Sequence, residues 1–86
     1  MFYMGGRVRE YRQKVAPDLS AAEFAAEVGI SASDLSKIET NKKRLSITHV
    51  VLMTLRFEDK SLYFRFRQQE DEFIFNCFTE KKLISV

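Results

Sequence analysis

Two closely spaced helix-start signals around one glycine constrain the fold of this chain more than any other feature. Ser20 opens the run Ser-Ala-Ala-Glu, a capping box in which the serine oxygen accepts a backbone N–H and the glutamate reaches back. Ser31 opens the similar run Ser-Ala-Ser-Asp. Gly29 lies between them, where the end of a helix needs a residue with left-handed backbone. The pattern therefore predicts two short helices joined by a tight turn.

Apolar residues repeat at helical spacing on both sides of this turn. The first of the two helices is expected to end near Val28 and the second near Thr40. The inward-facing residues are predicted to be Phe24, Ala25, Val28, Leu35 and Ile38. Ala25 is small, which lets the two helices approach closely. Asn41 is the best non-glycine residue for a left-handed stop after the second helix.

The rest of the chain is expected to complete a helical domain. A first helix is predicted over residues 6–15, and Ser46 is predicted to cap a fourth helix. The inner stripe of that fourth helix is predicted to be Ile47, Val50, Val51 and Leu55. Leu62 and Phe66 are expected to close the core in a short fifth helix. Residues 73–78 have strand propensity, so the fold class is all-α: five helices followed by a partly extended C-terminal segment.

Composition excludes several classes of function. The chain has 86 residues with one cysteine and one histidine, which cannot supply the four ligands of a usual zinc site. No cofactor is therefore expected. No apolar run approaches the roughly 18 residues of a membrane helix, so we expect no membrane association and a reduced, cytoplasmic location. No nucleophile–base pair or phosphate-binding glycine loop is present, so no enzyme is expected. We see no separate domain that could house a small-molecule ligand, so none is expected.

The pattern of residues 19–39 resembles the phage-repressor and Cro-like helix-turn-helix family, also called the XRE type. The resemblance covers roughly residues 6–62 and depends on the spacing of the capping serines, Ala25, Gly29 and Glu39. In that family five helices form the domain, dimers bind operators in double-stranded DNA, and the third helix enters the major groove. The resemblance implies the same fold and function here.

The resemblance also implies roles for individual residues. The base-facing residues would be Ala32, Ser33, Ser36 and Lys37. The phosphate-binding residues would be Ser20, Asn41, Lys42, Lys43 and Arg44. Arg12 would form a structural ion pair with Glu39. Three positions depart from the family pattern: Ala21 stands where a phosphate-binding glutamine is common, Asn41 replaces a glycine, and Leu45 replaces a proline.

We divide the chain into a DNA-binding domain at residues 1–62 and an aromatic-rich extension at residues 63–86. One recognition helix reads only a few base pairs, so we expect a homodimer that places two such helices about 34 Å apart on DNA. The predicted dimer interface is Phe73, Phe75 and Phe78. Alternatively, the extension covers the domain's own core.

Two functions stay open at this stage. The first is a homodimeric transcriptional regulator, specifically a repressor, that binds double-stranded DNA. The second is a protein-interaction module on a helix-turn-helix scaffold with little DNA contact. The missing glutamine at Ala21 and the weakly specifying Ala32 and Ser33 favour this second function. A fold does not by itself determine a function.

Overall fold

In a computed structural model of the protein, the backbone is described for residues 2–85 and the side chains for residues 2–77. Five helices follow one another in this part of the chain: α1 (Gly5–Val15), α2 (Ala21–Val28), α3 (Ala32–Glu39), α4 (Ile47–Phe57) and α5 (Ser61–Ser85). The predicted all-α, five-helix architecture is therefore confirmed. Between residues 2 and 85, no helix combines the length and the apolar character needed to cross a bilayer.

Local signals fix the turn between α2 and α3. The Ser20 Oγ accepts the Glu23 N–H at 3.1 Å, and the Glu23 carboxylate accepts the Ser20 N–H at 3.0 Å. The Ser31 Oγ accepts the Asp34 N–H at 3.0 Å. Gly29 ends α2 with a φ of 89°, a conformation that glycine adopts without steric cost. Both helix starts and the turn between them lie where the sequence predicts them.

The core forms where the inner faces of the five helices meet. Its largest fully buried side chains are Val8, Phe24, Leu35, Ile38, Leu45, Val50, Met53, Leu62 and Phe66. Tyr11 lies at the edge of this core, and its hydroxyl is within 3.2 Å of the Met53 carbonyl and 2.9 Å of the Asp59 carbonyl. Burial, helped by the Asp59 carboxylate, raises the pKa of Tyr11 to about 12. Tyr11 therefore links α1 to the end of α4 as a neutral donor.

The inner face of α4 differs from the predicted stripe. Val50 is buried as expected, but Ile47, Val51 and Leu55 are exposed, Leu55 by 73%. Met53 is buried instead. The helix carries two apolar stripes, one on each side, and helical spacing alone does not show which of them the domain covers. The prediction was wrong for these three residues, and they form an exposed apolar surface.

The segment after residue 62 is helical, so the prediction of a partly extended C-terminal segment was wrong. α5 runs without a break from Ser61 to Ser85. Leu62 and Phe66 are buried and anchor its start, and the good helix formers at residues 68–70 continue it. Because each added residue of an existing helix gains one backbone hydrogen bond, propagation from the anchored start outweighs the strand propensity of residues 73–78.

The main polar link of the fold joins α1 to the end of α3. Arg12 donates from Nε and Nη2 to the two Glu39 carboxylate oxygens, at 2.8 and 3.0 Å. Arg9 donates from Nε to the same carboxylate at 3.3 Å. The Glu39 side chain is only 6% exposed, whereas the Arg9 side chain is 53% exposed. Hydrogen bonding to Glu39 raises the pKa of Arg12, as expected for a two-point guanidinium–carboxylate pair.

We expect the two arginines to contribute very differently to stability. The substitution Arg12→Ala leaves a nearly buried carboxylate with one exposed partner and should lower the free energy of unfolding by about 3–5 kcal/mol. The matched substitution Arg9→Ala removes only the exposed partner and leaves the two-point pair with Arg12 in place, so it should cost at most about 1 kcal/mol. Urea denaturation measures both values, and equal losses would contradict this account of the Glu39 link.

Candidate nucleic-acid interface

α3 turns one side toward the core and the other toward solvent. Leu35 and Ile38 are buried. The four predicted base-facing residues, Ala32, Ser33, Ser36 and Lys37, are all exposed. Helical spacing places these four on a continuous surface opposite the buried pair. This is the arrangement that a helix needs in order to enter a groove about 12 Å wide.

The basic loop after α3 folds back onto the helix. The backbone N–H groups of Lys42 and Lys43 donate to the Lys37 carbonyl at 2.8 and 3.1 Å. The Lys43 ammonium lies 3.2 Å from the carboxylate of Asp34, which is in the first turn of α3. The loop is therefore attached to both ends of the helix, and its backbone lies beside the exposed face.

The N-terminal residues hold the far end of the same loop. Phe2 and Leu45 exchange backbone hydrogen bonds of 3.1 and 2.7 Å. Next to this pair, the Arg44 guanidinium lies 5.1 Å from the centre of the Tyr3 ring, which is a cation–π contact. Sequence reasoning missed Tyr3, because a contact between residues so far apart leaves no local pattern. Tyr3 restricts the directions in which the Arg44 charge points.

Asn41 has a structural role in addition to the predicted phosphate contact. Its φ of 60° is left-handed, and its Oδ1 accepts the Gly5 N–H at 2.9 Å. Met4 provides no side-chain cap for α1, so Asn41 supplies an acceptor that the start of α1 otherwise lacks. A Cβ on Gly5 would overlap the Glu39 carbonyl oxygen. The start of α1 is thus in direct contact with the end of α3.

The two tasks of Asn41 can be separated by substitution. Asn41→Gly keeps the left-handed turn but loses the bond to Gly5, so we expect it to lower the free energy of unfolding by about 1 kcal/mol. Asn41→Ala loses the same bond and adds roughly 1–2 kcal/mol of backbone strain. Urea denaturation of the two variants should therefore rank glycine above alanine, and the reverse order would refute this assignment.

A histidine takes part in the capping box that opens α4. Ser46 Oγ accepts the His49 N–H at 3.3 Å, and the Ser46 N–H donates to His49 Nδ1 at 3.2 Å. The Ser46 cap is where the sequence predicts it, but His49 was missed because glutamate or glutamine normally completes this motif. Nδ1 can accept this hydrogen bond only when it carries no proton. Burial and the charge of Lys43 lower the pKa of His49, against a smaller opposing effect of Asp34.

This cap predicts a pH dependence of stability. Because the pKa of His49 is lower in the folded than in the unfolded chain, the unfolded chain binds more protons below about pH 6.5. The His49 contribution to stability is thus present above that pH and is lost as the pH falls toward the folded pKa. His49→Gln keeps a capping residue that does not titrate. Urea denaturation at about pH 7 and about pH 5 should show a smaller pH effect in this variant; an unchanged pH effect would contradict the assignment.

The start of α2 is a weaker anion site than the resemblance implies. Ser20 is exposed, but its oxygen already accepts the Glu23 N–H, which leaves the hydroxyl proton as its donor. The Glu23 carboxylate bonds the Ser20 N–H, and this bond lowers the pKa of Glu23. Ala21 adds no polar group. Among its side chains, the start of α2 therefore offers one hydroxyl to a phosphate and carries a negative charge beside it.

The three residues of the predicted dimer interface lie on α5, and two of them have described side chains. Phe73 and Phe75 are exposed. The Phe73 ring also contacts the Phe2 ring, with 6.0 Å between the ring centres. Phe78 belongs to the helical backbone, but its side chain lies outside the described residues. Side chains two residues apart in a helix point in nearly opposite directions. Phe73 and Phe75 therefore belong to different sides of α5.

Residues 8–58 match the sequence pattern of the helix-turn-helix family. No curated protein and no solved structure matches the chain. The matched residues include α2, α3, the basic loop and α4, but not the Phe2 and Tyr3 contacts or α5.

Proposed function

The chain belongs to the helix-turn-helix family of the phage-repressor and Cro type, a family of DNA-binding transcription regulators, and we propose that it is a repressor that binds double-stranded DNA as a homodimer. In this proposal α3 enters the major groove. The observation that carries the proposal is the exposed face of α3, to whose two ends the basic loop is bonded through the Lys37 carbonyl and the Asp34 carboxylate.

The exposed face of α3 supports recognition of only a few bases. Lys37 is its one long donor and is suited to guanine O6 or N7. Ser36 and Ser33 donate to or accept from several bases, and Ala32 offers a methyl group to thymine. Specificity therefore depends strongly on half-site spacing and on the shape of the DNA. Selection of bound sites from a random duplex pool would report both the preferred bases and the symmetry of the site.

The loop at residues 42–44 supplies the charge for backbone contact. Lys42 and Arg44 are exposed, and Arg44 is oriented by Tyr3. Lys43 shares its ammonium with Asp34, but an ammonium has three donors and can contact a phosphate as well. Asp34 offsets part of the loop's positive charge. We therefore assign most of the phosphate attraction to Lys42 and Arg44.

The salt dependence of DNA binding tests this assignment. Each phosphate contact contributes about 0.9 to the slope of log K against log salt concentration. Lys42→Ala removes one contact from each copy and should therefore reduce that slope by about two contacts per bound dimer, whereas Arg65→Ala, an exposed cation on α5, should leave it unchanged. Fluorescence anisotropy with labelled duplex between about 50 and about 200 mM salt gives the slopes. Equal slopes for Lys42→Ala and the unaltered protein would count against loop contact.

The second candidate is a protein-interaction module with little DNA contact. The exposed apolar residues of α4 and the negative charge at the start of α2 favour it. A titration at low salt separates the two functions, because non-specific phosphate attraction is then strongest. Failure to bind any duplex under these conditions would support the interaction module and exclude the proposed repressor.

A further inference from the structure

An apolar groove lies between α4 and α5. It has a volume of about 320 Å³ and is lined by Val51, Thr54, Leu55, Lys60, Tyr63 and Phe64. Phe64 is 63% exposed, and Leu55 is more exposed still. Exposed apolar residues that occur singly need no explanation, but a contiguous set of them marks an interaction surface.

A stripe of four side chains on α5 starts at this groove. Phe64, Arg67, Asp71 and Ile74 follow one another at steps of three, four and three residues, the spacing of a coiled-coil seam. All four are exposed. Arg67 also bonds Glu70 at 3.2 Å within the helix, an exposed pair that contributes little and leaves Arg67 open to a second carboxylate. The stripe therefore has apolar ends and opposite charges in its middle.

We propose that the α5 helices of two copies pack antiparallel across a two-fold axis through these stripes. Ile74 of each copy packs on Phe64 at the groove of the other, and Arg67 of each copy faces Asp71 of the other. This inference rests on the proposed homodimeric function and assigns it an interface. It places the contact at the α4–α5 groove and along the stripe from Phe64 to Ile74, in place of the interface at Phe73, Phe75 and Phe78 expected from the sequence.

The register follows from the sequence positions themselves. In a two-fold contact, when Phe64 of one copy faces Ile74 of its partner, Ile74 of the first copy also faces Phe64 of the partner. Phe64 and Ile74 lie symmetrically about Gln69, and so do Arg67 and Asp71. One antiparallel register thus matches apolar with apolar and basic with acidic at the same time. A surface that is complementary to itself in this way fits a second copy of the chain.

Parallel packing of two α5 helices would pair the residues of this stripe unfavourably. It would place Arg67 against Arg67 and Asp71 against Asp71, and like charges in contact are unfavourable. It would also bring Phe64 against Phe64 and leave Ile74 away from the groove. The antiparallel arrangement instead uses the length of α5, which continues to Ser85 well beyond its buried anchor Phe66.

Charge reversal tests the register. Arg67→Asp or Asp71→Arg alone replaces two attractive contacts per dimer with two repulsive ones, so each should weaken dimerisation at least about tenfold. The double variant R67D/D71R should restore it. Arg65→Asp and Glu72→Arg change exposed charges on other sides of the same helix and serve as matched controls. Sedimentation equilibrium of the full chain gives the dimer dissociation constant for each protein.

Mixing the two single variants tests whether these charges meet between copies. In a mixed dimer the new aspartate of R67D faces the new arginine of D71R, and the native Asp71 faces the native Arg67. Heterodimers should therefore form from two proteins that are each largely monomeric, a result that an effect within one helix cannot give. A mixture that stays monomeric, single variants that dimerise normally, or an unaltered chain that is monomeric would each overturn the proposal.

DNA binding tests the proposed function separately from the proposed interface. Anisotropy at low salt reports on α3 and the loop, whether or not the copies associate. If dimers form with the predicted charge pattern but bind no duplex, the interface stands and the proposed function fails. If duplex binding is seen but the mixed variants do not associate, the function stands and the interface fails.

Discussion

The Glu39 carboxylate is the constraint on which the rest of the structure depends. A carboxylate that is 6% exposed has to be paired, and Arg12 and Arg9 of α1 supply the donors. Directly after Glu39, the chain turns left-handed at Asn41, whose side chain accepts the Gly5 N–H. The end of α3 is therefore bonded to the start and the middle of α1. A helix held in this way presents its outer face without needing to reorganise on binding.

Two of the charges beside α3 also have side-chain partners. Asp34 lies against Lys43, and Tyr3 lies against Arg44, so both contacts favour a position of the basic loop beside the exposed face. The loop also reaches α4, because the charge of Lys43 contributes to the lowered pKa of His49. The first turn of α3, the basic loop and the cap of α4 are thus electrostatically coupled through Asp34, Lys43 and His49, although these side chains come from separate parts of the chain.

Features determined within a few residues of sequence could be predicted, and those determined by distant residues could not. The serine caps, Gly29 and the buried faces of α2 and α3 depend on neighbouring positions and agree with the prediction. The two apolar stripes of α4 look alike in sequence, and only packing distinguishes them. The helical course of α5 depends on its buried anchor rather than on local propensity. The Asn41–Gly5 and Tyr3–Arg44 contacts join residues too far apart to leave a pattern.

The claim that most needs a direct test is that the exposed face of α3 and its loop contact DNA. Titration of the isotope-labelled full chain with duplex DNA, followed through backbone amide chemical shifts, locates the contact without any substitution. The account predicts that the largest changes fall at residues 32–37 and 42–44. Changes concentrated along α5 between residues 64 and 74, with α3 unaffected, would contradict it.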